Sequence, residues 1–432
     1  MSRPIAVEAD LASPYAALRH PEFRRLIAAI FLLTLALLAQ EVALAYELYL
    51  MTRDPLTLGF IGLAEAVPFI ALALVGGHLA DRREKRSLLL ASLAVIALAT
   101  LILLVLSLDS TRAQLTQSGL LLAIYATIAL IGLARGIYSP SASSLKSFLV
   151  PRELFANAST WSSTAWQGGA ILGPVAGGLL YAWLGLEGAL LFSFLMIGVA
   201  ALLITGIRPR GVPPATEVQG SLKESLREGL AFVRNTPIIL YSISLDLFSV
   251  LFGGVVAILP VFVEDVLKLG PQELGILRAA PAIGAMLTLL LCAYLPPTRQ
   301  IWRNLLLAVA GFGVATLVFA LSPYFWLSVI ALFLTGAFDA VSVVIRGTIL
   351  QVFTPDHLRG RVQSVNSVFL SCSNEIGAFE SGLAARLMGA VPSVVFGGAM
   401  TLAIVGGVAA RSGTLWRIRM GVRDDSQRVV TG

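Results

Sequence analysis

A short charged turn at residues 77–86 constrains this chain more than any other ten residues. It lies between two long apolar stretches and reads Gly-His-Leu-Ala-Asp-Arg-Arg-Glu-Lys-Arg, with four cations. A turn this short can join only two helices that leave and re-enter the same side of a membrane. Because Lys and Arg accumulate on the cytoplasmic side, the turn predicts a polytopic membrane protein with this loop inside the cell.

The composition indicates that a lipid bilayer is the main solvent of the chain. Of its 432 residues, 57% are hydrophobic and 13% are charged, and the mean hydropathy is +0.85. A water-soluble surface could not be built from so few polar residues. The net charge of +6 would suggest nucleic acid in a soluble protein, but here the positions of the charges mark topology, so no nucleic-acid partner is expected.

The sequence has none of the residue patterns that indicate an enzyme. Its three histidines have no metal-ligand spacing, and neither GxSxG nor a glycine-rich phosphate loop occurs. Cys292 and Cys372 lie in apolar stretches, which predicts reduced, buried side chains. We therefore expect no metal, no cofactor and no catalysis. Without a Walker sequence, we also expect no transport driven by the chain's own ATP hydrolysis.

Twelve apolar stretches have the length of roughly 20 residues that a helix needs to cross a bilayer. Residues 1–25 have no apolar core, so they are not expected to form a cleavable signal peptide. The stretches run over residues 26–51, 58–80, 88–108, 119–149, 158–183, 188–207, 238–263, 274–296, 304–322, 327–350, 362–388 and 393–411.

The distribution of Lys and Arg favours twelve spans with both termini in the cytoplasm. In that register the inside segments hold 23 of the 31 cations, and the outside loops hold Arg53, Arg112 and Lys268. A miscounted helix in the middle of the chain would remove this asymmetry. We therefore predict an all-α, multi-pass protein of the cytoplasmic (inner) membrane.

The longest internal break, residues 208–237, divides the stretches into six plus six. It is polar, and residues 221–230 alternate at helical spacing, which predicts an amphipathic helix on the cytoplasmic face. The two halves share short sequences at the start of their second helices, and paired repeats with a midplane site are typical of secondary transporters. The predicted segments are a cytoplasmic N-terminus (1–25), a first bundle (26–207), a linker (208–237), a second bundle (238–411) and a cytoplasmic tail (412–432).

Residues 77–86 resemble the loop 2–3 motif of the major facilitator superfamily, Gly-x-Leu-Ala-Asp-Arg-x-Gly-Arg-Lys. The resemblance implies that Gly77 permits close helix packing and that Asp81, Arg82 and Arg86 form a cytoplasmic latch. Glu84 stands where the family pattern has glycine, which leaves the tightness of the turn open. The alternative is an ordinary loop whose cations only set topology.

Residues 169–178 resemble the antiporter motif of the same superfamily, Gly-x-x-x-Gly-Pro-x-x-Gly-Gly, at every defined position. The resemblance implies export in exchange for protons. The alternative is plain packing, because small residues four apart let helix backbones approach closely. The motif residues are Gly169, Gly173, Pro174, Gly177 and Gly178.

Further segments resemble the branch of the superfamily that contains enterobactin-exporter-like proteins and drug:proton antiporters. They include residues 150–154, 245–248 and 373–382, and the resemblance covers about residues 15–410. It implies twelve helices in two six-helix bundles, a small organic substrate and a proton gradient as the energy source. A monomer is expected.

Four acids, Glu41, Asp246, Asp339 and Glu375, fall near the middle of the predicted bilayer at 1.5 Å per helical residue. Ionisable groups at this depth are costly and usually functional. Burial favours the protonated form of a carboxylate, so each acid is a candidate for proton coupling. The alternative is a structural ion pair, for example with Arg135.

Other charged residues in the spans lead to different expectations. Arg346, Lys146 and Arg386 fall near span ends, where long cationic side chains extend to the interface. Glu65 and Arg278 occupy equivalent positions in the two halves with opposite charges, so we expect them to pair or simply to pack. The candidate residues of a substrate cavity are Gln40, Tyr46, Arg135, Tyr138, Phe248 and Asn374.

The leading hypothesis from the sequence is a proton-coupled exporter of a siderophore-like or drug-like small molecule. A proton-coupled importer or symporter is the alternative, and the motif at residues 169–178 disfavours it. A non-transporting membrane receptor or scaffold is a more remote alternative, which the acids inside the spans disfavour.

Overall fold

The computed structural model describes residues 13–209, 222–297, 300–355, 358–413 and 415–417. Within them the regular elements are all helical and no strand occurs, which confirms the predicted all-α class. Ten helices in this part of the chain are long and apolar enough to cross a membrane.

The count of ten differs from the predicted twelve spans at two places, and each difference has a structural reason. The helix Phe155–Thr205 is 51 residues long but is broken at Gly185, where φ is +70°. It therefore forms two helices, at residues 155–184 and 186–205. The helix Arg359–Met388 is long enough to cross a membrane, but its serines and asparagines make it less apolar than the other ten.

We label the helices of spanning length in chain order and call the helix Leu222–Asn235 the linker helix. Short helical turns continue α7 as far as Val266. The twelve are α1 (Pro21–Thr52), α2 (Pro55–Arg82), α3 (Lys85–Ser107), α4 (Gln117–Leu149), α5 (155–184), α6 (186–205), α7 (Pro237–Phe252), α8 (Pro271–Tyr294), α9 (Ile301–Leu321), α10 (Phe325–Phe353), α11 (Arg359–Met388) and α12 (Ala390–Arg411).

The helices group into two compact units. Among the described residues, unit 1 contains 13–52, 60–209 and 270–279, and unit 2 contains the rest. Helix α2 therefore begins in unit 2 and continues in unit 1 from Phe60. Helix α8 begins in unit 1 and continues in unit 2 from Ala280.

Each unit has its own apolar core. In unit 1 one apolar cluster contains Phe23, near the start of α1, and Leu89, near the start of α3. A second cluster contains Leu48, near the end of α1. In unit 2 the core surrounds Trp302 of α9 and includes Val233 of the linker helix. The linker helix thus packs Val233 and Phe232 into the core of unit 2.

The charged turn at residues 77–86 connects α2 to α3 with two residues between them. Glu84 is the N-cap of α3, and its carboxylate accepts hydrogen bonds from the backbone N–H of Arg86 (3.1 Å) and Ser87 (2.8 Å). The backbone at Glu84 has φ of −65°, so the position does not require glycine. Its departure from the family pattern is explained by capping.

The predicted latch lies largely outside what the structure describes in side-chain detail. The helical backbone of α2 continues to Arg82. The side chains of residues 73–82, which include Gly77, Asp81 and Arg82 of the latch, are outside the described residues. The latch therefore stays a prediction at these three positions.

The break between α5 and α6 predicts opposite effects for two glycine substitutions. Gly185→Ala would place a Cβ at φ of +70° and ψ of −171°, a region essentially restricted to glycine where the strain costs about 1 to 3 kcal/mol, and should lower the unfolding temperature. Gly198→Ala, within α6, meets no atom within 4 Å and should raise it, because alanine favours helix by about 1 kcal/mol over glycine. Thermal unfolding of the detergent-purified variants measures both shifts. Shifts of the same sign would contradict this account of the break.

Candidate functional site

Among the described residues of unit 2, the charged side chains with the least exposure form one ion pair between α7 and α10. Arg346 Nη1 contacts Asp246 Oδ1, and the two side chains are only 4% and 7% exposed. Removing a lone charge from water is very costly, but an opposite charge in direct contact offsets much of that cost. The pair therefore ties α7 to α10.

A second acid, Asp339, lies on the same helix as Arg346. The two are seven residues apart, which places them on one face of α10 about two turns from each other. Asp339 is within electrostatic reach of both Asp246 and Arg346. Among the residues that the structure describes, none forms a hydrogen bond or ion pair with Asp339. Arg346 thus contacts one carboxylate and lies within electrostatic reach of a second.

Unit 1 holds two further intramembrane ion pairs. Glu41 of α1 accepts a hydrogen bond from Arg278 at the start of α8, at 2.5 Å. Glu65 of α2 pairs with Arg135 of α4, whose guanidinium also lies 5.9 Å from the centre of the Phe69 ring. The expected pairing of Glu65 with Arg278 is therefore wrong, because each residue has another partner.

A third pair in unit 1 involves Glu47, a residue that the sequence analysis did not single out. Its carboxylate accepts a hydrogen bond from Arg112 at 2.6 Å and another from the Tyr181 hydroxyl. Tyr46 packs edge-on against Tyr181, with ring centres 5.1 Å apart. Glu47 lies in the same apolar stretch as Glu41, and this was the signal available in the sequence.

The remaining candidates for a cavity have varied surroundings. Gln40 is buried and accepts a hydrogen bond from Thr100 at 2.9 Å. Tyr138 is buried in the apolar core of unit 1, and its hydroxyl has no hydrogen-bond partner among the described residues. Phe248 is 38% exposed, and Asn374 is exposed and donates to the carbonyl of Leu370 on its own helix.

The glycines of the antiporter-type motif lie where α5 approaches its neighbours most closely. A Cβ on Gly169 would collide with Thr34 of α1, and one on Gly177 would collide with the Ala39 backbone. Gly178 instead faces the backbone at the start of α8, at Gly275. The motif therefore packs α5 against α1 and against the first turns of α8. Gly173, between them, also packs on α1.

Arg86, the fourth predicted latch residue, binds the end of α6. Its guanidinium donates to the carbonyl of Thr205 at 2.8 Å and, more weakly, to that of Ile204 at 3.4 Å. A cation at a helix C-terminus is stabilised by the exposed carbonyl dipoles. Arg86 therefore joins α3 to α6 within unit 1.

The cations expected to extend to the interface behave differently from one another. Arg346 is buried and paired, so that expectation is wrong for it. Arg386 is 54% exposed and pairs with Asp54 at 3.1 Å. Lys146 donates to the Ser159 hydroxyl at 3.2 Å. Burial, which the position along a helix does not reveal, separates the first case from the others.

Two other features bear on ligands. The side chain of Glu375 lies outside the described residues, so its role in proton coupling stays a prediction. Among the described residues, no three His, Cys, Asp or Glu side chains come together in a way that could hold a metal ion.

Because the Asp246–Arg346 pair is buried, removing one partner should destabilise the protein strongly, and removing both should restore much of the stability. Arg346→Met should cost about 3 to 5 kcal/mol, because it leaves Asp246 buried without a partner. Adding Asp246→Leu should restore much of that loss. Breaking the exposed Glu228–Arg361 pair, whose side chains are 54% and 38% exposed, should cost less than about 1 kcal/mol. Thermal unfolding of the purified variants measures all three, and equal losses for the two pairs would contradict the assignment.

Comparisons with known proteins agree with these observations. Residues 25–378 match the model of the Major Facilitator Superfamily. The chain is 27% identical over 379 residues to the enterobactin exporter EntS of Shigella boydii serotype 18 (strain CDC 3083-94 / BS512), covering 87% of this chain and 88% of that protein. The identity and coverage are the same for the enterobactin exporter EntS of Escherichia coli O81 (strain ED1a).

Solved structures share the fold at low sequence identity. The nucleoside transporter NupG superposes with a TM-score of 0.71 at 13% identity, covering 90% of this chain and 100% of that one. A bacterial homologue of the iron transporter ferroportin superposes with a TM-score of 0.69 at 16% identity, covering 92% and 99%. With its helical membrane spans and a family match over most of its length, the chain belongs to the Major Facilitator Superfamily and is a multi-pass membrane transporter.

Proposed function

We propose that this transporter exports a small organic molecule, siderophore-like or drug-like, across the cytoplasmic membrane in exchange for protons. Two findings support export. The relatives reported above are named enterobactin exporters, and residues 169–178 carry the antiporter-type motif in full. In this proposal both termini are cytoplasmic, the protein acts as a monomer by alternating access, and the proton gradient is its only energy source.

The observation that supports proton coupling is the cluster of Asp246, Arg346 and Asp339 in unit 2. A proton carrier must be stable both with and without its proton. Asp246, Glu41, Glu65 and Glu47 each contact an arginine, so protonation of any of them would remove an ion pair. Asp339 has no such contact among the described residues.

Asp339 can therefore exchange a proton at lower cost than the paired acids. When it is protonated, Arg346 and Asp246 balance one another. When it loses the proton, two carboxylates compete for one guanidinium, and the contact between α7 and α10 weakens. Proton uptake and release at Asp339 would thus change how firmly these two helices are tied, which is the coupling that an antiporter needs.

The first test measures the direction and the driving force of transport. Inverted membrane vesicles that contain the protein should accumulate substrate when their interior is made acidic, because antiport would exchange interior protons for external substrate. Enterobactin serves as the siderophore probe and ethidium as the drug-like probe. Accumulation of either one that is unchanged after the gradient is collapsed would contradict antiport. Accumulation only in right-side-out vesicles would indicate import instead.

The second test addresses the proton carrier. Asp339→Asn should lower gradient-driven accumulation on the order of tenfold or more, since the asparagine cannot take up a proton. Asp265→Asn, which removes an acid near the exposed end of α7, is the matched control and should transport normally. Counterflow of labelled substrate without a gradient should survive in Asp339→Asn. A variant that keeps gradient-driven transport would exclude Asp339 as the carrier.

A further inference from the structure

The end of α6 in unit 1 holds two guanidinium groups on its last carbonyl groups. Arg86 donates to Thr205, and Arg25 of α1 donates to Gly206. These contacts satisfy orphan carbonyls of the helix C-terminus. Because a carbonyl group carries no formal charge, both arginines keep their positive charge.

Three more exposed arginines are close neighbours, along the chain, of groups at this helix end. Arg24 precedes Arg25 in the first turn of α1, Arg83 directly precedes the N-cap of α3, and Arg208 follows α6. Glu22 binds the backbone N–H of Arg208 at 3.0 Å, which brings the start of α1 and the chain after α6 together. We call Arg24, Arg25, Arg83, Arg86 and Arg208 the arginine cluster.

The arginine cluster has a clear excess of positive charge. Glu84 is engaged as the N-cap of α3, and Glu22 is bound to the chain after α6. The five cations thus outnumber these two described acids. Arginine is well suited to phosphate groups, because its planar donors match phosphate oxygens.

An apolar stripe on α6 runs toward the helix end that Arg25 and Arg86 bind. Leu191, Leu195, Val199 and Leu202 are each between 41% and 69% exposed. Their spacing of four, four and three residues places them on one face of the helix. The stripe ends one turn before the carbonyl groups that the arginines bind. An exposed apolar face of a membrane helix is in contact with acyl chains.

We propose that the arginine cluster and the apolar stripe of α6 bind one anionic phospholipid. The phosphate would lie on the arginines, and an acyl chain would lie along the stripe. Basic sites beside membrane helices on the cytoplasmic side recognise anionic headgroups in this way. The choice of leaflet rests on the proposed orientation, whereas lipid binding itself does not depend on what the protein transports.

The test counts the lipids bound to the full-length protein purified in detergent. Native mass spectrometry compares phosphatidylglycerol with phosphatidylcholine of the same acyl chains. The variant Arg24→Gln/Arg83→Gln/Arg208→Gln keeps the two arginines that cap α6. It should lose affinity for phosphatidylglycerol by roughly fivefold for each arginine removed, with no change for phosphatidylcholine.

A matched control distinguishes a site from general charge. Arg234→Gln/Arg303→Gln/Arg411→Gln removes three exposed cations from unit 2 and should leave phosphatidylglycerol binding unchanged. Equal losses in the two variants would overturn the proposal. Displacement of the lipid by millimolar inorganic phosphate would also overturn it, because the site would then bind the free ion.

A measurement on the unmodified protein covers the case of a variant that does not fold. A photoactivatable phosphatidylglycerol with its reactive group on the acyl chain is crosslinked and then mapped by proteolysis. Crosslinks should concentrate on the peptide that contains residues 191–208. Crosslinks spread evenly over the spans of both units would overturn the proposal.

Discussion

The structure depends on one electrostatic constraint: a charge inside a bilayer needs a partner of opposite charge. Glu41, Glu47, Glu65 and Asp246 each contact an arginine. Three of these pairs join different spanning helices. Because an unpaired charge in hydrocarbon is costly, the pairs favour association of the helices that carry them. This matters because lipid chains are as apolar as leucine, and apolar burial alone does not drive membrane helices together. Asp339 stands apart because, among the described residues, it has no ion pair of its own and lies only within electrostatic reach of Arg346, and for this reason it is the proposed proton carrier.

Close backbone packing accompanies the charge pairs. A Cβ on Gly132 of α4 would collide with the Glu65 backbone of α2, and three residues later Arg135 pairs with the Glu65 side chain. In unit 2, Gly336 of α10 approaches the Pro281 backbone of α8 in the same way. The two halves of the sequence therefore repeat the glycine contact between equivalent helices. They do not repeat the charges, because Arg278 stands where the first half has Glu65, and each of these residues pairs with a different partner.

Much of the architecture could be predicted from the sequence because hydropathy and cation placement act locally. Helix length, the linker helix and the family resemblance all depend on residues that are near neighbours in the chain. The partners of the charged residues could not be predicted in the same way. Glu41 and Arg278 are 237 residues apart, and Glu65 and Arg135 are 70 apart. Arg346 shows the limit most clearly, since its place near the end of a stretch predicted exposure and the structure buries it.

The sequence by itself determined that the chain crosses a membrane many times, where its spans lie and to which superfamily it belongs. It also determined which residue types are present at the depth where charge is costly. Only the tertiary structure decided which acid meets which arginine, that Glu47 is one of these acids, and that Asp339 lies within electrostatic reach of the Asp246–Arg346 pair. The physical reason is rotation: hydropathy sets the depth of a residue along its helix, but the packing of glycines and apolar side chains sets the direction in which it points.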